Sequence, residues 1–423
     1  MTRVRWQILA LLFWATTICY LDRITFSVLM PIIRGELHLD EHTYGWINAS
    51  FQVAYMIGFL GAGRLVDRLG TRTGYAIATG WWATASALHA TVTGPWTLGF
   101  WRAMLGLGES GNFPSAIKAV AEWFPVKDRA FATGIFNAGS NVASMIGPPA
   151  FVAIATGIGW RYCFLLTAAL DLAWIAMWLR LYRTPDRHPG VNAEELRYIR
   201  SDAARSDAEP AIGWREAFRF EQTWGFASGK FLTDPVWWFY LYWLPLYLYD
   251  VRKFNMKEVG WVLPFVYLMA DLGSVAGGWL SGALMKRGWQ RGKARKTAMA
   301  ICACAMPVSA LGVVTPNATM AVALFSLALA AHQGWSANLY TTTSDVFPRA
   351  AVASVTGIGG CAGGLGGVLF SALIPGYVVP WLGYTPVFLV MSTFYLIALF
   401  IVDRLMGDLR PIPASGAPLQ PVR

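Results

Sequence analysis

The stretch EWFPVKDRAFATGI, residues 122–135, returns in altered form as DVFPRAAVASVTGI at residues 345–358. Phe124, Pro125, Ala130, Thr133, Gly134 and Ile135 match Phe347, Pro348, Ala353, Thr356, Gly357 and Ile358, all at a shift of 223 residues (347 minus 124). The acids Glu122 and Asp345 and the glycines Gly111 and Gly334 keep the same shift. A repeat displaced by about half the chain predicts a duplicated architecture. At that shift Glu109 superposes on His332, so each half carries an ionisable residue at the same place in its repeat.

Composition says what kind of halves these are. The 423 residues are 56% hydrophobic and only 14% charged, with a mean hydropathy of +0.44, which is far from the balance of a water-soluble domain. A hydrocarbon core of ~30 Å takes about 20 residues of helix. Twelve apolar runs approach or exceed that length, at approximately 8–33, 45–63, 74–93, 96–118, 129–152, 160–182, 227–249, 258–283, 297–314, 318–341, 350–374 and 381–402. The chain is therefore expected to be an all-α, multi-pass membrane protein with 12 transmembrane helices. A six-helix bundle over 1–182 is followed by a linker over 183–226, a second six-helix bundle over 227–404 and a tail over 405–423. The first run follows Arg3 and Arg5 but ends in no small-residue cleavage site, so it reads as a retained helix rather than a signal peptide.

Basic residues in short loops prefer the cytoplasm. Arg64, Arg68 and Arg72 follow the second run, six lysines and arginines between Lys286 and Lys296 follow the eighth, and the 183–226 segment is rich in arginine. All lie on one side, whereas the opposite loops are sparse, so both termini are expected to be cytoplasmic and the location to be the cytoplasmic (inner) membrane. The same distribution accounts for the net charge of +10. No basic-aromatic module accompanies it, and nucleic-acid binding is excluded. The linker, charged and of mixed sign, reads as a solvated amphipathic segment.

Cys19, Cys163, Cys302, Cys304 and Cys361 all fall inside apolar runs, and Cys302-x-Cys304 lacks metal-site spacing, so all five read as small core-filling residues. No metal-ligand spacing, G-x-S-x-G elbow or phosphate loop appears, and CAGGLGG at 361–367 lies in a run where close helix packing explains it. No metal, cofactor or enzymatic activity is expected.

Polar residues inside the runs are the candidates for function. Glu109, in GLGESGNFP (106–114), stands about halfway along what reads as one long helix. A carboxylate in hydrocarbon is costly and faces the bundle interior or a water-filled path. Asp22 and Arg23 lie at mid-depth of the first run, and Arg102 lies two turns before Glu109 on the same face. Two acids and two arginines can neutralise each other across facing helices. The protonation of Asp22 and Glu109 then depends on whether an arginine is engaged elsewhere. The competing reading is an ion pair that only fixes packing.

Lys230 opens the seventh run, with Asp234 and the helix-breaking Pro235 close behind, and reads either as a substrate cation or as a snorkelling lysine. His332, Gln333, Trp335, Ser336 and Asn338 crowd the tenth run, with Gly334 leaving room for a ligand or a helix. Tyr20, Tyr55, Trp238 and Trp335 sit mid-span, as sugar-facing rings or as ordinary core.

GRLVDRLGTR, residues 63–72, resembles the loop signature of the major facilitator superfamily, with Gly63, Asp67, Arg68, Gly70 and Arg72 in place. Its second-half counterpart, GGWLSGALMKRG (277–288), is degenerate. The resemblance implies the major facilitator fold and a cytoplasmic latch in which Asp67 holds helix ends together. Tyr20-Leu21-Asp22-Arg23, GLGESGNFP, WFPVKDRAFATG (123–134) and AHQGWSANLYTTTSDVFP (331–348) are similar to the anion:cation symporter branch, and within it to bacterial hexuronate transporters. This likeness spans essentially the whole chain.

In that branch the acids matching Asp22 and Glu109 are linked to proton coupling. The positions matching Arg23, Tyr55, Arg102 and Lys230 belong to the central site or its salt-bridge network. The implied function is symport of galacturonate or glucuronate with protons, by a monomer whose halves rock by alternating access. A uronate needs a cation, hydroxyl partners and an aromatic wall. Lys230 or Arg23 suits the first, Gln333, Ser336 and Asn338 the second, and Trp335 the third, with Tyr20, Tyr55 and His332 beside them. Transport of another sugar acid or organic anion, and a transport-inactive sensor on the same fold, are the remaining readings.

Overall fold

The computed structural model describes residues 3–201, 214–347 and 349–410, and among them the regular structure is helical, without a strand. By length and composition eight of the described helices can cross a membrane: Val4–Leu37, Ala132–Gly157, Arg161–Leu181, Met256–Lys286, Arg291–Val314, Ala318–Thr343, Val355–Leu382 and Thr385–Met406.

Helix α1 (Val4–Leu37) is followed by α2 (Glu41–Leu88), one element where the sequence suggests two separate spans. Asp40 starts it by accepting the Thr43 backbone N–H at 2.8 Å, satisfying a donor that the first turn leaves orphaned. Hydrogen bonds from Thr43 hold the Asp40 carboxyl below its ordinary range. The element kinks at Gly70, with φ 79° and ψ 157°, a backbone state that favours glycine. The glycine of GRLVDRLGTR thus supplies the break between the two arms.

The run around Glu109 also differs from its expectation as one long helix. Helix α3 (Pro95–Glu109) ends at the carboxylate, and α4 (Asn112–Trp123) begins after Ser110 and Gly111. Pro114 has no N–H to offer the Ser110 carbonyl four residues earlier, and the Gly111 N–H tightens onto the Gly108 carbonyl at 3.1 Å. Glu109 therefore sits at an interruption. Helices α5 (Val126–Gly157) and α6 (Arg161–Leu181) complete this part of the chain.

Contacts sort the chain into two compact units, Met1–Ala208 with Tyr242–Pro264, and Glu209–Leu241 with Phe265–Arg423. In the first, α3 is pressed against both arms of α2. A Cβ on Gly106 would lie 2.4 Å from the Phe51 carbonyl oxygen, and one on Gly108 would lie 2.8 Å from the Trp82 nitrogen. Arg34 forks onto Asp250 at 2.6 and 2.7 Å, and the Tyr44 hydroxyl donates to the Tyr242 carbonyl at 2.5 Å. In the linker, α7 (Ala193–Ile199) is amphipathic, with Glu195 and Ile199 buried and Ala193, Glu194 and Arg197 exposed. Its fully buried Glu195 accepts the Val4 and Arg5 N–H groups, each at 3.3 Å, where the α1 dipole favours an anion. Linker residues 202–213 lie outside the described residues, as do tail residues 411–423.

The second unit contains the first part of α8 (Glu221–Asp250) and most of α9 (Met256–Lys286), then α10 (Arg291–Ala305), α11 (Ala318–Val346) and α12 (Thr385–Met406). Here α9 crosses α11 through glycines. A Cβ on Gly273 would lie 2.1 Å from the Ala330 carbonyl oxygen, and one on Gly277 would lie 2.4 Å from the Gly334 Cα. Gly273→Leu should force this crossing apart and destabilise the protein by about 1–3 kcal/mol, the usual cost of overpacking. A lowered thermal-unfolding midpoint for the purified variant is the measurement, and an unchanged midpoint contradicts the close crossing. The repeat-matched acids differ in their partners: Glu122 accepts from Thr71 Oγ1 at 2.6 Å and from the Tyr182 hydroxyl, and Asp345 binds Arg295 Nε at 3.0 Å.

Candidate functional site

In the first unit, α1 and α3 bring Arg23 and Glu109 together. Arg23 Nε and NH2 donate to the same oxygen, Glu109 Oε2, at 2.9 and 2.7 Å, with both side chains buried. Glu109 Oε1 is left buried without a partner. Arg23 lies 4.7 Å from the ring centres of Tyr20 and Tyr55 and 5.2 Å from that of Phe51, a cation cradled by aromatic faces. Asp22 does not join this pair, although it adjoins Arg23 in sequence, because its side chain leaves α1 in another direction. Its Oδ1 accepts from Ser86 Oγ at 2.5 Å.

Arg102 is the exception. It is fully buried, its guanidinium lies 4.5 Å from the Phe51 ring centre and 4.8 Å from that of Phe26, and all three of its side-chain nitrogens lack a hydrogen-bond partner. A buried cation without a hydrogen-bonded counter-charge is costly, and aromatic faces recover only part of that cost. Chemically the cluster offers one paired arginine, one unpartnered arginine, and carboxylate oxygens able to take a proton.

In the second unit, Lys230 is buried on α8. Its Nζ lies 2.7 Å from Asp234 Oδ2 one turn on, 2.7 Å from the Tyr340 hydroxyl, and 4.1 Å from the centre of the Tyr340 ring. His332 Nδ1 is hydrogen-bonded to the Tyr395 hydroxyl, and its ring stacks on Trp237 with centres 5.4 Å apart at 11°. Trp335 is fully buried, edge-on to Tyr395, and its indole N–H is unsatisfied. Asn338 is also fully buried. Its Nδ2 donates to the Gly277 and Gly334 carbonyls, both at 2.9 Å, so it fastens α11 to α9 and keeps only its Oδ1 unpartnered. Gln333 and Ser336 are half-buried on the same helix. The space beside Gly334 is taken by α9 at Gly277, and a helix, not a ligand, is what approaches there.

Of the latch residues, Arg68 is exposed, Gly70 makes the kink, and Arg72 donates to the Leu179 carbonyl. The surroundings of Gly63 and Asp67 lie outside the described residues. All five cysteines are free. Sequence reasoning missed Phe51, Ser86, Trp82, Asp171, Trp237, Tyr340 and Tyr395, which complete the two clusters. For Asp171 a signal existed, since it is the single acid in the Arg161–Leu181 span. The aromatic and hydroxyl residues carry none, because their types are common in every helix of this chain.

Comparison with known proteins adds the family. The hexuronate transporter of Escherichia coli (strain K12) is 32% identical over 404 residues, covering 94% of this chain and 93% of that protein. The galacturonate transporter of Dickeya chrysanthemi is 33% identical over 281 residues, 66% of this chain and 81% of its own. Among solved structures, an inward-facing, unoccupied bacterial homolog of the human lysosomal transporter Spinster superposes with a TM-score of 0.75 at 19% identity, covering 98% of this chain and 100% of that one. That likeness establishes the fold. Major Facilitator Superfamily sequences match residues 12–371. The chain belongs to the major facilitator superfamily, whose members among its relatives and structural neighbours are membrane transporters and not enzymes.

Proposed function

We propose that the protein is a proton-coupled symporter that takes up hexuronates, such as galacturonate and glucuronate, across the bacterial inner membrane by alternating access. In this reading it works as a monomer with twelve spans in two six-helix halves and both termini cytoplasmic. The four apolar runs beyond the eight long apolar helices lie on α2, α3 with α4, and α8, which supports the count of twelve.

The observation that carries the reading is Arg102, a fully buried guanidinium without a hydrogen-bond partner beside an Arg23 already bound to Glu109. Such a site is completed by an anion. Protonation of Glu109 removes the charge that holds Arg23 and leaves two arginines to support an incoming carboxylate. Loss of the proton to the cytoplasm restores the Arg23–Glu109 pair and favours release. In the second unit, taken by itself, Lys230, Gln333 and Ser336 offer a cation and hydrogen-bonding side chains of the kinds a sugar acid needs. The names of the two sequence relatives agree with a uronate.

Cells expressing the protein should accumulate labelled hexuronate, and a protonophore should prevent it by removing the driving force. Accumulation that persists with the protonophore would refute proton coupling. Binding without accumulation in liposomes under an imposed gradient would replace transport with sensing.

A further inference from the structure

The first unit contains a carboxyl pair that the coupling by Asp22 and Glu109 does not use as such. Asp22 on α1 and Asp171 on α6 are both fully buried and are held by neighbouring turns of the same two helices: Ser86 joins Asp22 to Thr167, and Trp82, one turn before Ser86, bonds Asp171, one turn after Thr167. One oxygen of each is engaged elsewhere. Asp22 Oδ1 accepts from Ser86 Oγ, which is itself 3.0 Å from Thr167 Oγ1, and Asp171 Oδ1 accepts from Trp82 Nε1 at 2.7 Å. The two remaining oxygens, Asp22 Oδ2 and Asp171 Oδ2, are buried with no donor.

Two ionised carboxylates so placed would hold like charges together in apolar surroundings and leave two acceptors orphaned. The titratable and charged groups around the pair are Cys19 and Arg23 on α1 and Arg102 and Glu109 on α3, and none of them donates to either Oδ2. A proton between the two acids turns one into a donor and the other into its acceptor, and removes one of the two charges.

We propose that Asp22 and Asp171 hold one proton between them, so that Asp171 is the positioning residue through which Asp22 gains and releases the proton it couples to transport. The proton moves between carboxyl oxygens and no other bond changes. This inference rests on Asp22 as a coupling acid, but the shared proton can be read directly.

Infrared spectra of the full-length protein at neutral pH report protonated carboxyls through their C=O stretching band. Asp171→Asn keeps an acceptor for Trp82 and gives Asp22 an amide donor in place of the proton, so the band of one carboxylic acid should disappear. Asp22→Asn should remove the same band, and the double variant no more than either single one. Losses that add in the double variant mean that each acid holds its own proton, and no loss in either means that both are ionised; either result overturns the proposal. Trp82→Phe, which removes the donor to Asp171, should shift that band without abolishing it, and keeps the test open if Asp171→Asn fails to fold. A band that does not move overturns the assignment. In vesicles loaded with a pH-sensitive dye, substrate-driven proton entry should vanish in Asp171→Asn, and normal entry overturns the coupling role. If the wild type itself moves substrate without protons, the symport reading fails, and with it the coupling role, while the infrared band still decides the shared proton.

Discussion

Glu109→Gln is expected to abolish uptake driven by a pH gradient in proteoliposomes while leaving exchange of labelled hexuronate across the membrane at least partly intact. Glutamine has nearly the size of glutamate but no proton to release and no charge to return, so it resembles the protonated state permanently. In the wild type Glu109 Oε2 takes both hydrogen bonds from Arg23, and Oε1 stands buried without a donor. Replacing the carboxylate with an amide frees Arg23 from its ionic partner in every step of the cycle. Substrate still has two arginines to bind, and exchange, which needs no net proton movement, continues. Accumulation does not, because the proton gradient has lost its point of attachment.

The opposing reading makes a different forecast. Breaking a buried pair by removing one partner is worth about 3–5 kcal/mol when the pair serves only to hold helices together. Loss of both uptake and exchange, with a lowered unfolding midpoint, therefore favours a structural ion pair. Full gradient-driven accumulation by the variant would remove Glu109 from the list of coupling acids.

Lys230→Gln should weaken hexuronate binding by well over tenfold. The ammonium is held inside the second unit by Asp234 and Tyr340, each at 2.7 Å, a geometry that speaks against a lysine reaching out to the membrane surface. Asp234 orients it, and in the proposed mechanism a substrate carboxylate would join or replace that partner. Truncating one member of a desolvated charge pair costs on the order of 2–5 kcal/mol, and about 1.4 kcal/mol is a factor of ten. Lys230→Arg keeps the charge but spreads it over a planar fork, so it should lose less affinity or shift the preference among sugar acids. Ligand-induced thermal stabilisation of the purified variants measures this, since a ligand that binds only the native state raises its melting point. Unchanged affinity in a folded Lys230→Gln protein would leave Arg102 or Arg23 as the cation that meets the substrate.

The amino-acid sequence by itself determined the membrane class, the repeat at a shift of 223 residues and the positions at which ionisable groups enter apolar runs. Those features are local: hydropathy, helical spacing and motif residues depend on neighbours within a few turns. It also placed Asp22, Arg23, Arg102, Glu109 and Lys230 among the candidates, because a charge in an apolar run is conspicuous whatever surrounds it. Tertiary structure decided the rest. Arg23 takes Glu109, 86 positions away, and leaves its neighbour Asp22 to Ser86; Arg102, on the same helix face as Glu109, is left without a hydrogen bond. Asp171 takes Trp82, 89 positions away, and Tyr340 meets Lys230, 110 positions along the chain. The unbroken helix expected through Glu109 ends there instead, because Pro114 removes a backbone donor and glycines draw α3 onto α2. Hydropathy specifies that a side chain is buried, but which partner it meets depends on the angle and distance at which two helices cross, and glycines far apart in sequence set both.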